Sequence, residues 1–278
     1  MIDLHMHSTF SDGTHPPEEL ARLAGSFGLT AIALTDHDCM GGVARLLAAC
    51  EAEGVRGISG VEISARMSKG AMHILGYFVD HESTELEGAL KQIREGRAVR
   101  NVEILKLLNG LGLELDWKEV RSYASEEVVG RPHFAMAMQA RGYVKDKMEA
   151  FDRYLAKGKP AYADRFRLSP EASIAVIKQA GGVPVLAHPI TLGLSHKALR
   201  VALGEFRAMG LEGVEVYYSE HPPALVHAFS QMARDVGLAM SGGSDFHGDA
   251  NPRIRMGIGF GQLRVPDKLL VDLEARRA

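Results

Sequence analysis

The chain has 278 residues, of which 46% are hydrophobic and 24% charged, with a formal net charge of −3. This length suits one barrel-like domain or two smaller ones, no apolar run reaches the roughly 18 residues of a membrane span, and the acidic balance argues against tight electrostatic binding of long nucleic acid. Cys39 and Cys50 suggest no disulfide framework, and His5, His7, Asp12 and His15 interrupt any signal-peptide core, so a cytoplasmic protein without a membrane partner is expected.

The first seven residues alternate: Ile2, Leu4 and Met6 should face one way and Asp3, His5 and His7 the other, as in a strand. Two imidazoles at i and i+2 on one face can share a metal ion, although an isolated His-x-His is more often an exposed pair near a terminus. A turn-rich loop follows through Ser11-Asp12-Gly13. Pro16-Pro17-Glu18-Glu19 then opens a helix that stops before Gly28. Thr30 to Leu34 reads as a buried strand ending in Thr35-Asp36-His37-Asp38, and Val43, Leu46, Leu47 and Cys50 mark a second helix. Val55 to Val61 reads as one strand ending in Glu62, and Ala71 to Phe78 as another carrying His73. Strand, helix and strand in turn, with nearly unbroken apolar strands, predict a parallel sheet buried on both faces.

Residues 84–165 carry helical periodicity and no strand pattern. Trp117, Tyr123, Phe134, Tyr143, Phe151 and Tyr154 are expected to form a small core there. Residues 91–167 hold 16 Lys and Arg against 11 Asp and Glu, a local balance of +5 that leaves −8 for the remainder. Alternation resumes at the helix start Ser169-Pro170. Val183 to Ala187 forms a strand ending in His188-Pro189, followed by a helix near 196–209, a strand at Gly213 to Tyr217 and a helix near 223–236. Leu238 to Met240 is a short strand running into Ser244-Asp245-Phe246-His247. Gly257 to Phe260 is read as a last strand before an amphipathic helix.

Nine ionisable residues thus fall at or near strand ends: His5, His7, Asp12, His37, Glu62, His73, His188, Asp245 and His247. Singly, His73 reads as a core histidine, and Glu62 and Asp245 as helix caps. Together, at one mouth of a barrel, they would repel unless cations held them, which predicts a multinuclear metal site.

His5-Met6-His7-Ser8, Thr35-Asp36-His37-Asp38, Gly60-Val61-Glu62, Ala187-His188-Pro189 and Gly243-Ser244-Asp245-Phe246-His247 resemble, in order, the motifs of the PHP (polymerase and histidinol phosphatase) family within the amidohydrolase superfamily. The resemblance implies an α/β fold, a distorted (β/α)7 barrel, formed by residues 1–83 and 168–278 with a helical insertion or cap at 84–167. It also implies His5, His7 and Asp245 on a first metal, with Glu62 bridging to a second on His73 and His188. Asp12, His37 and His247 would hold a third. The donors are imidazoles and carboxylates without thiolate, which fits Mn, Fe or Zn; the family favours Mn2+. The implied mechanism is attack on phosphorus by a metal-bridging hydroxide held by Glu62, with His247 or a metal-bound water as leaving-group acid and Asp38 orienting a ligand.

Gly130-Arg131-Pro132-His133-Phe134 and Lys157-Gly158-Lys159-Pro160-Ala161-Tyr162 resemble one branch of that family. It contains nucleoside 3',5'-bisphosphate phosphatases and 5'-to-3' exoribonucleases acting on short RNA. The resemblance implies removal of the 3'-phosphate of adenosine 3',5'-bisphosphate, with Arg131, His133 and Lys159 gripping the 5'-phosphate. Short RNA or DNA oligonucleotides, histidinol phosphate and a non-catalytic polymerase-associated role are the alternatives.

Overall fold

The computed structural model describes residues 1–67, 70–124 and 128–277. It is a mixed α/β fold with eight strands among the described residues, arranged in two sheets. The first holds β1 (Ile2–Asp3), β2 (Ala31–Ala33) and β3 (Arg56–Ile58), all parallel. The second runs in the order β4 (Gly60–Ala65), β5 (Met72–Tyr77), β6 (Val183–Leu186), β7 (Gly213–Tyr218) and β8 (Ala239–Gly243).

Three expectations are corrected here. The run from Val55 to Val61 is two strands in two sheets, split at Ser59, so Glu62 lies inside β4 rather than at a strand end. β5 is antiparallel to both neighbours. Its N-terminal end, with His73, therefore lies level with Ser64, beyond Glu62 in β4. Residues 257–260 turn rather than extend, because Gly257 and Gly259 take positive φ of 76° and 54°.

The sheets share no continuous ladder. They meet at the isolated bridges Met6–Phe246 and His37–Glu62. Each seam has a glycine where a side chain cannot fit. A Cβ on Gly60 would lie 2.6 Å from the Leu34 carbonyl oxygen, and one on Gly243 would lie 2.3 Å from the His5 nitrogen. The second approach presses β8 against the segment that carries His5 and His7.

Period-two alternation divides the strands between two apolar clusters. Ile32, Leu34, Ile63 and Ile74 pack with helices including α1 (Pro17–Ser26), α2 (Val43–Glu53), α7 (Pro170–Gln179), α8 (His196–Ala208) and α9 (Pro223–Val236). Ala31, Ala33, Leu75, Tyr77, Val183 and Val185 pack with α10 (Lys268–Glu274). In β4 and β5, Glu62 and His73 sit out of step with the helix-facing Ile63 and Ile74, which turns them away from the helices.

The long helix α3 (Thr84–Gly110) starts at Ser83, whose hydroxyl accepts from the Leu86 amide. Its first half joins the helix-facing core through Leu86, Leu90 and Ile93. Ile104 and Leu108 in its second half enter a separate cluster drawn wholly from residues between 104 and 163. That cluster includes α4 (Trp117–Ser122), α5 (Arg131–Ala140) and α6 (Lys147–Ala150), followed by a π-helical turn at Phe151–Leu155. Phe134, Tyr123, Tyr143, Phe151 and Tyr154 belong to it as expected, but Trp117 is 41% exposed and does not. Trp117 is the first residue of the six-residue α4.

Candidate metal centre

All nine ionisable residues singled out in the sequence converge. His5 and His7 follow β1, His37 follows β2, Glu62 lies in β4 and His73 in β5. His188 follows β6, and Asp245 and His247 follow β8. Asp12 comes from the loop after β1, which Asp36 fastens by accepting from the Ser8 amide (2.8 Å), the Ser8 hydroxyl (2.6 Å) and the Ser11 hydroxyl (2.5 Å). His188 and Asp245 sit at positive φ of 22° and 60°, conformations that L-residues adopt at a cost and that cluster at functional sites.

Glu62 is the hub. Its Oε1 lies 2.8 Å from His73 Nδ1 and 3.0 Å from His188 Nε2, which are themselves 3.3 Å apart. Its Oε2 lies 2.9 Å from His37 Nδ1, 3.3 Å from His7 Nε2 and 3.4 Å from His5 Nε2. Asp245 Oδ1 faces His7 Nε2 at 3.2 Å and His5 Nε2 at 3.4 Å. Asp12 Oδ1 lies 3.3 Å from His247 Nε2 and 3.8 Å from His7 Nδ1. Donor groups of metal-ligating size are His5, His7 and Asp245; His5, Glu62 and His188; His37, Glu62 and His73; and His7, Asp12, His37 and His247. His7 thus stands between two of these groups, a sharing that the strand pattern did not indicate.

The donor set fits divalent ions. His5 Nε2, His7 Nε2, Asp12 Oδ1, His37 Nδ1 and Glu62 Oε2 are buried and lack a hydrogen-bond partner. Such atoms are costly unless a cation satisfies them. Imidazole and carboxylate donors suit Zn, Fe or Mn.

The same crowding sets the protonation. Burial alone would lower His5, but Glu215, Asp245 and Glu62 carry it well above the usual imidazole range. His7, likewise buried and held by Asp245 and Glu62, rises to about 9. Burial outweighs Glu62 at His73, which falls to about 4. Despite burial, Glu62 and Asp245 are held well below the carboxylate range by the surrounding histidines. A metal ion needs neutral imidazoles. Raised imidazole pKa values mean that ion binding must expel protons, so apparent affinity should climb as pH rises from the ordinary 6.5 through about 9. Calorimetric titration in two buffers of different ionisation enthalpy should register that release. Uptake of ions with no proton release would exclude these histidines as ligands.

A second layer orients the donors. Glu215, fully buried in β7, accepts from His5 Nδ1 (2.9 Å) and from the His188 amide (2.6 Å), so His5 presents Nε2 to the cluster. The Tyr218 hydroxyl donates to Asp245 Oδ2 (3.0 Å). Asp3 accepts from the Ser244 amide and hydroxyl and from the Gly257 amide, which ties β1 to the Asp245 turn. Loss of such supporting partners typically costs about 10–100-fold in metal affinity. Glu215→Gln should therefore weaken ion binding by roughly that factor, read by competition with a chromogenic chelator; unchanged affinity would make Glu215 a packing residue only.

A cavity of about 500 Å³ opens beside the cluster. Asp12, His37 and His73 form one side, and Arg66, Arg97, Arg100, Arg131, Arg165 and Arg167 are among the residues that line the rest. Arg97 donates to Asp38 through Nε (2.9 Å) and Nη2 (2.5 Å), and Arg165 approaches the same carboxylate at 3.6 Å. Arg167 pairs with Asp164 at 2.5 Å. Among the described residues Arg100 bonds neutral partners, Asn101 Oδ1 and the Val129 carbonyl. Burial and the charges of Arg97, Arg165, Arg131 and Arg167 lower the Arg100 pKa. A guanidinium keeps its proton in a protein, so this strain is repulsion that an entering anion relieves.

Arg131 donates to the Leu155 carbonyl (3.1 Å) and lies between the Phe151 and Tyr162 rings. His133 is buried, accepts from the Gly130 amide (2.9 Å) and does not line the cavity. Lys159 is exposed and also outside it, whereas Lys157 lines it. Phe134 is fully buried in the helical cluster.

Sequence reasoning missed Arg97, Arg100, Arg165, Arg167, Glu215 and Tyr218. For the arginines a signal existed, namely the positive balance of 91–167 and the three-residue spacing that puts Arg97 and Arg100 on one helix face.

The chain is similar to known proteins in sequence and in fold. The PHP domain model matches residues 3–143. The chain is 36% identical over 247 residues to the 3',5'-nucleoside bisphosphate phosphatase of Chromobacterium violaceum, covering 88% of this chain and 87% of that one. It is 32% identical over 245 residues to a 5'-3' exoribonuclease of Haemophilus influenzae, with 88% and 89% covered. It superposes on a solved amidohydrolase from Chromobacterium violaceum, bound to sulfate and without metal, with a TM-score of 0.88 and 34% identity. That match covers 100% of this chain and 97% of the other.

Proposed function

Because the chain belongs to the PHP domain family, we propose that it is a metal-dependent phosphoesterase that removes the 3'-phosphate of nucleoside 3',5'-bisphosphates. Adenosine 3',5'-bisphosphate would yield AMP and phosphate. One observation carries the reading: a single cavity has metal-type donors on one side and six arginines in the rest of its lining. A substrate with two phosphoryl groups meets both, one at the donors and one among the guanidiniums.

In this reading His5, His7, Asp12, His37, Glu62, His73, His188, Asp245 and His247 hold up to three ions. The carboxylates of Asp12, Glu62 and Asp245 among the imidazoles support manganese as the ion, and a nucleotide substrate supports the cytoplasm as the place of action. The isolated bridges at both sheet seams support a distorted seven-stranded barrel, and the separate apolar cluster supports a cap over 84–167. When bound, the ions supply a nucleophile at neutral pH and cancel charge on the phosphoryl oxygens. Hydrolysis adds water across the P–O3' bond, with oxygen ending on phosphorus and a proton on O3'. The chain's part is to position: the arginines hold the 5'-phosphate, Asp38 keeps Arg97 and Arg165 aligned, and Glu215 and Tyr218 fix His5 and Asp245. His247 donates Nδ1–H to the Asp245 carbonyl (2.9 Å) and turns Nε2 to Asp12. With the Nδ1 proton held by the carbonyl, Nε2 keeps its lone pair for an ion, which favours a ligand role over that of leaving-group acid.

A second reading, hydrolysis of short 5'-phosphorylated oligonucleotides, breaks the same P–O3' bond and is favoured by the similarity to the exoribonuclease. Histidinol phosphate is disfavoured because its ammonium group would meet the arginines. A non-catalytic polymerase-associated role leaves the full donor set without purpose. The test is phosphate release by manganese-loaded protein on adenosine 3',5'-bisphosphate, 3'-AMP, 5'-AMP, histidinol phosphate and a 5'-phosphorylated dinucleotide. The bisphosphate should have the highest kcat/KM among the monoesters; turnover of histidinol phosphate alone would overturn the substrate assignment.

A further inference from the structure

A second cavity, of about 1030 Å³, shares Tyr218 with the metal centre: the residue lines the cavity while its hydroxyl reaches Asp245. It has no lining residue in common with the arginine cavity, which meets the donors at Asp12, His37 and His73. The arginine cavity thus meets the donors directly, while the second cavity comes within one side chain of them, at Tyr218.

This second cavity is elongated. One wall is the face of α9 that carries Pro223, His227 and Arg234, a span of roughly 17 Å along the helix. The other is the segment with Phe260 and Arg264. Phe260 is 48% exposed, and Tyr217 offers a second aromatic ring nearby. Arg234 and Arg264 form no ion pair among the described residues, and Glu220 is the one carboxylate in the lining. Exposed aromatic faces beside unpaired cations are what binds single-stranded nucleic acid without regard to sequence.

Resting on the phosphoesterase reading, we propose that this groove holds the 3'-ward nucleotides of short 5'-phosphorylated strands. With the first nucleotide anchored in the arginine cavity, a phosphodiester at the donors must send its remaining chain elsewhere, and the groove on the far side of Tyr218 lies one side chain from Asp245. Bases stack on Phe260 and Tyr217 while the backbone passes Arg264 and Arg234. Cleavage breaks P–O3': water oxygen goes to phosphorus and a proton to O3'. The shortened strand keeps the phosphate as a new 5'-phosphate, the group that the arginine cavity takes for the next round.

The test measures kcat/KM of manganese-loaded protein on 5'-phosphorylated RNAs of two, three and four nucleotides against adenosine 3',5'-bisphosphate. The ratio of RNA to bisphosphate should rise with length. In Phe260→Ala and Arg264→Glu the tetranucleotide ratio should fall about tenfold, and His227→Glu, on the opposite wall, should lower it independently of any shift in the 260–264 segment. Length-independent ratios that no variant changes would overturn the groove while leaving the bisphosphatase reading intact. A wild-type dimer dissolved by these variants, with the ratio unchanged, would assign the groove to a second copy of the chain. Failure of the wild type on every phosphate ester would overturn the underlying reading and the groove together.

Discussion

Glu62→Gln should abolish most turnover on every phosphate ester, by roughly 10³-fold or about 4 kcal/mol of transition-state stabilisation, and should lower bound metal in parallel. The substitution keeps the shape and removes one charge. That charge faces five imidazoles within 3.4 Å and is fully buried. No other carboxylate in the cluster touches both the His5–His7 pair and the His73–His188 pair. Metal content by mass spectrometry, beside an unchanged circular dichroism spectrum, separates loss of ions from loss of fold. Normal metal content with a normal rate would remove Glu62 from the centre.

Arg131→Ala should act on selected substrates. For adenosine 3',5'-bisphosphate kcat/KM should fall about 10²-fold, the scale of a lost charge-assisted pair in a desolvated pocket, while 3'-AMP, which lacks the second phosphate, should change little. Arg131 suits this test because it donates a hydrogen bond to a carbonyl, that of Leu155, and its rings, Phe151 and Tyr162, hold the guanidinium plane without neutralising it. Arg97 and Arg165 are poorer choices, since removing either strips a partner from the buried Asp38 carboxylate. Arg131→Lys should recover only part of the loss, because an ammonium cannot reproduce the planar fork. Equal losses on both substrates would indicate that Arg131 serves the packing of α5 instead.

The donor cluster was legible because its residues interrupt apolar strands, where an ionisable side chain needs a reason. Their direction was less so. A buried strand reads the same in either sense, so nothing in Ala71 to Phe78 reveals that β5 is antiparallel, and His73 arrives at the cluster from the strand's start. Glu62 looked terminal because Ser59 and Gly60, at which the run divides, are also tolerated inside a strand. Glu215 was hidden for the opposite reason: in Gly213-Val214-Glu215-Val216 it resembles the polar half of an ordinary alternation, and only the fold puts it under His5. The arginine cavity is assembled from positions 66 to 167 on several elements. Sequence carried its sign, as a local positive balance, but not its shape. The Gly257–Gly259 segment shows the limit of short apolar runs, since two positive-φ glycines outweigh the pattern around them.

The central claim is that the donor cluster works on the 3'-phosphate while the arginines hold the 5'-phosphate. Product analysis tests it most directly: adenosine 3',5'-bisphosphate is incubated with manganese-loaded protein and the nucleotide product is identified by chromatography against 5'-AMP and 3'-AMP standards. The account predicts 5'-AMP with one equivalent of phosphate and no further release. Accumulation of 3'-AMP, which would require the two phosphates to exchange places between cluster and arginines, would contradict it.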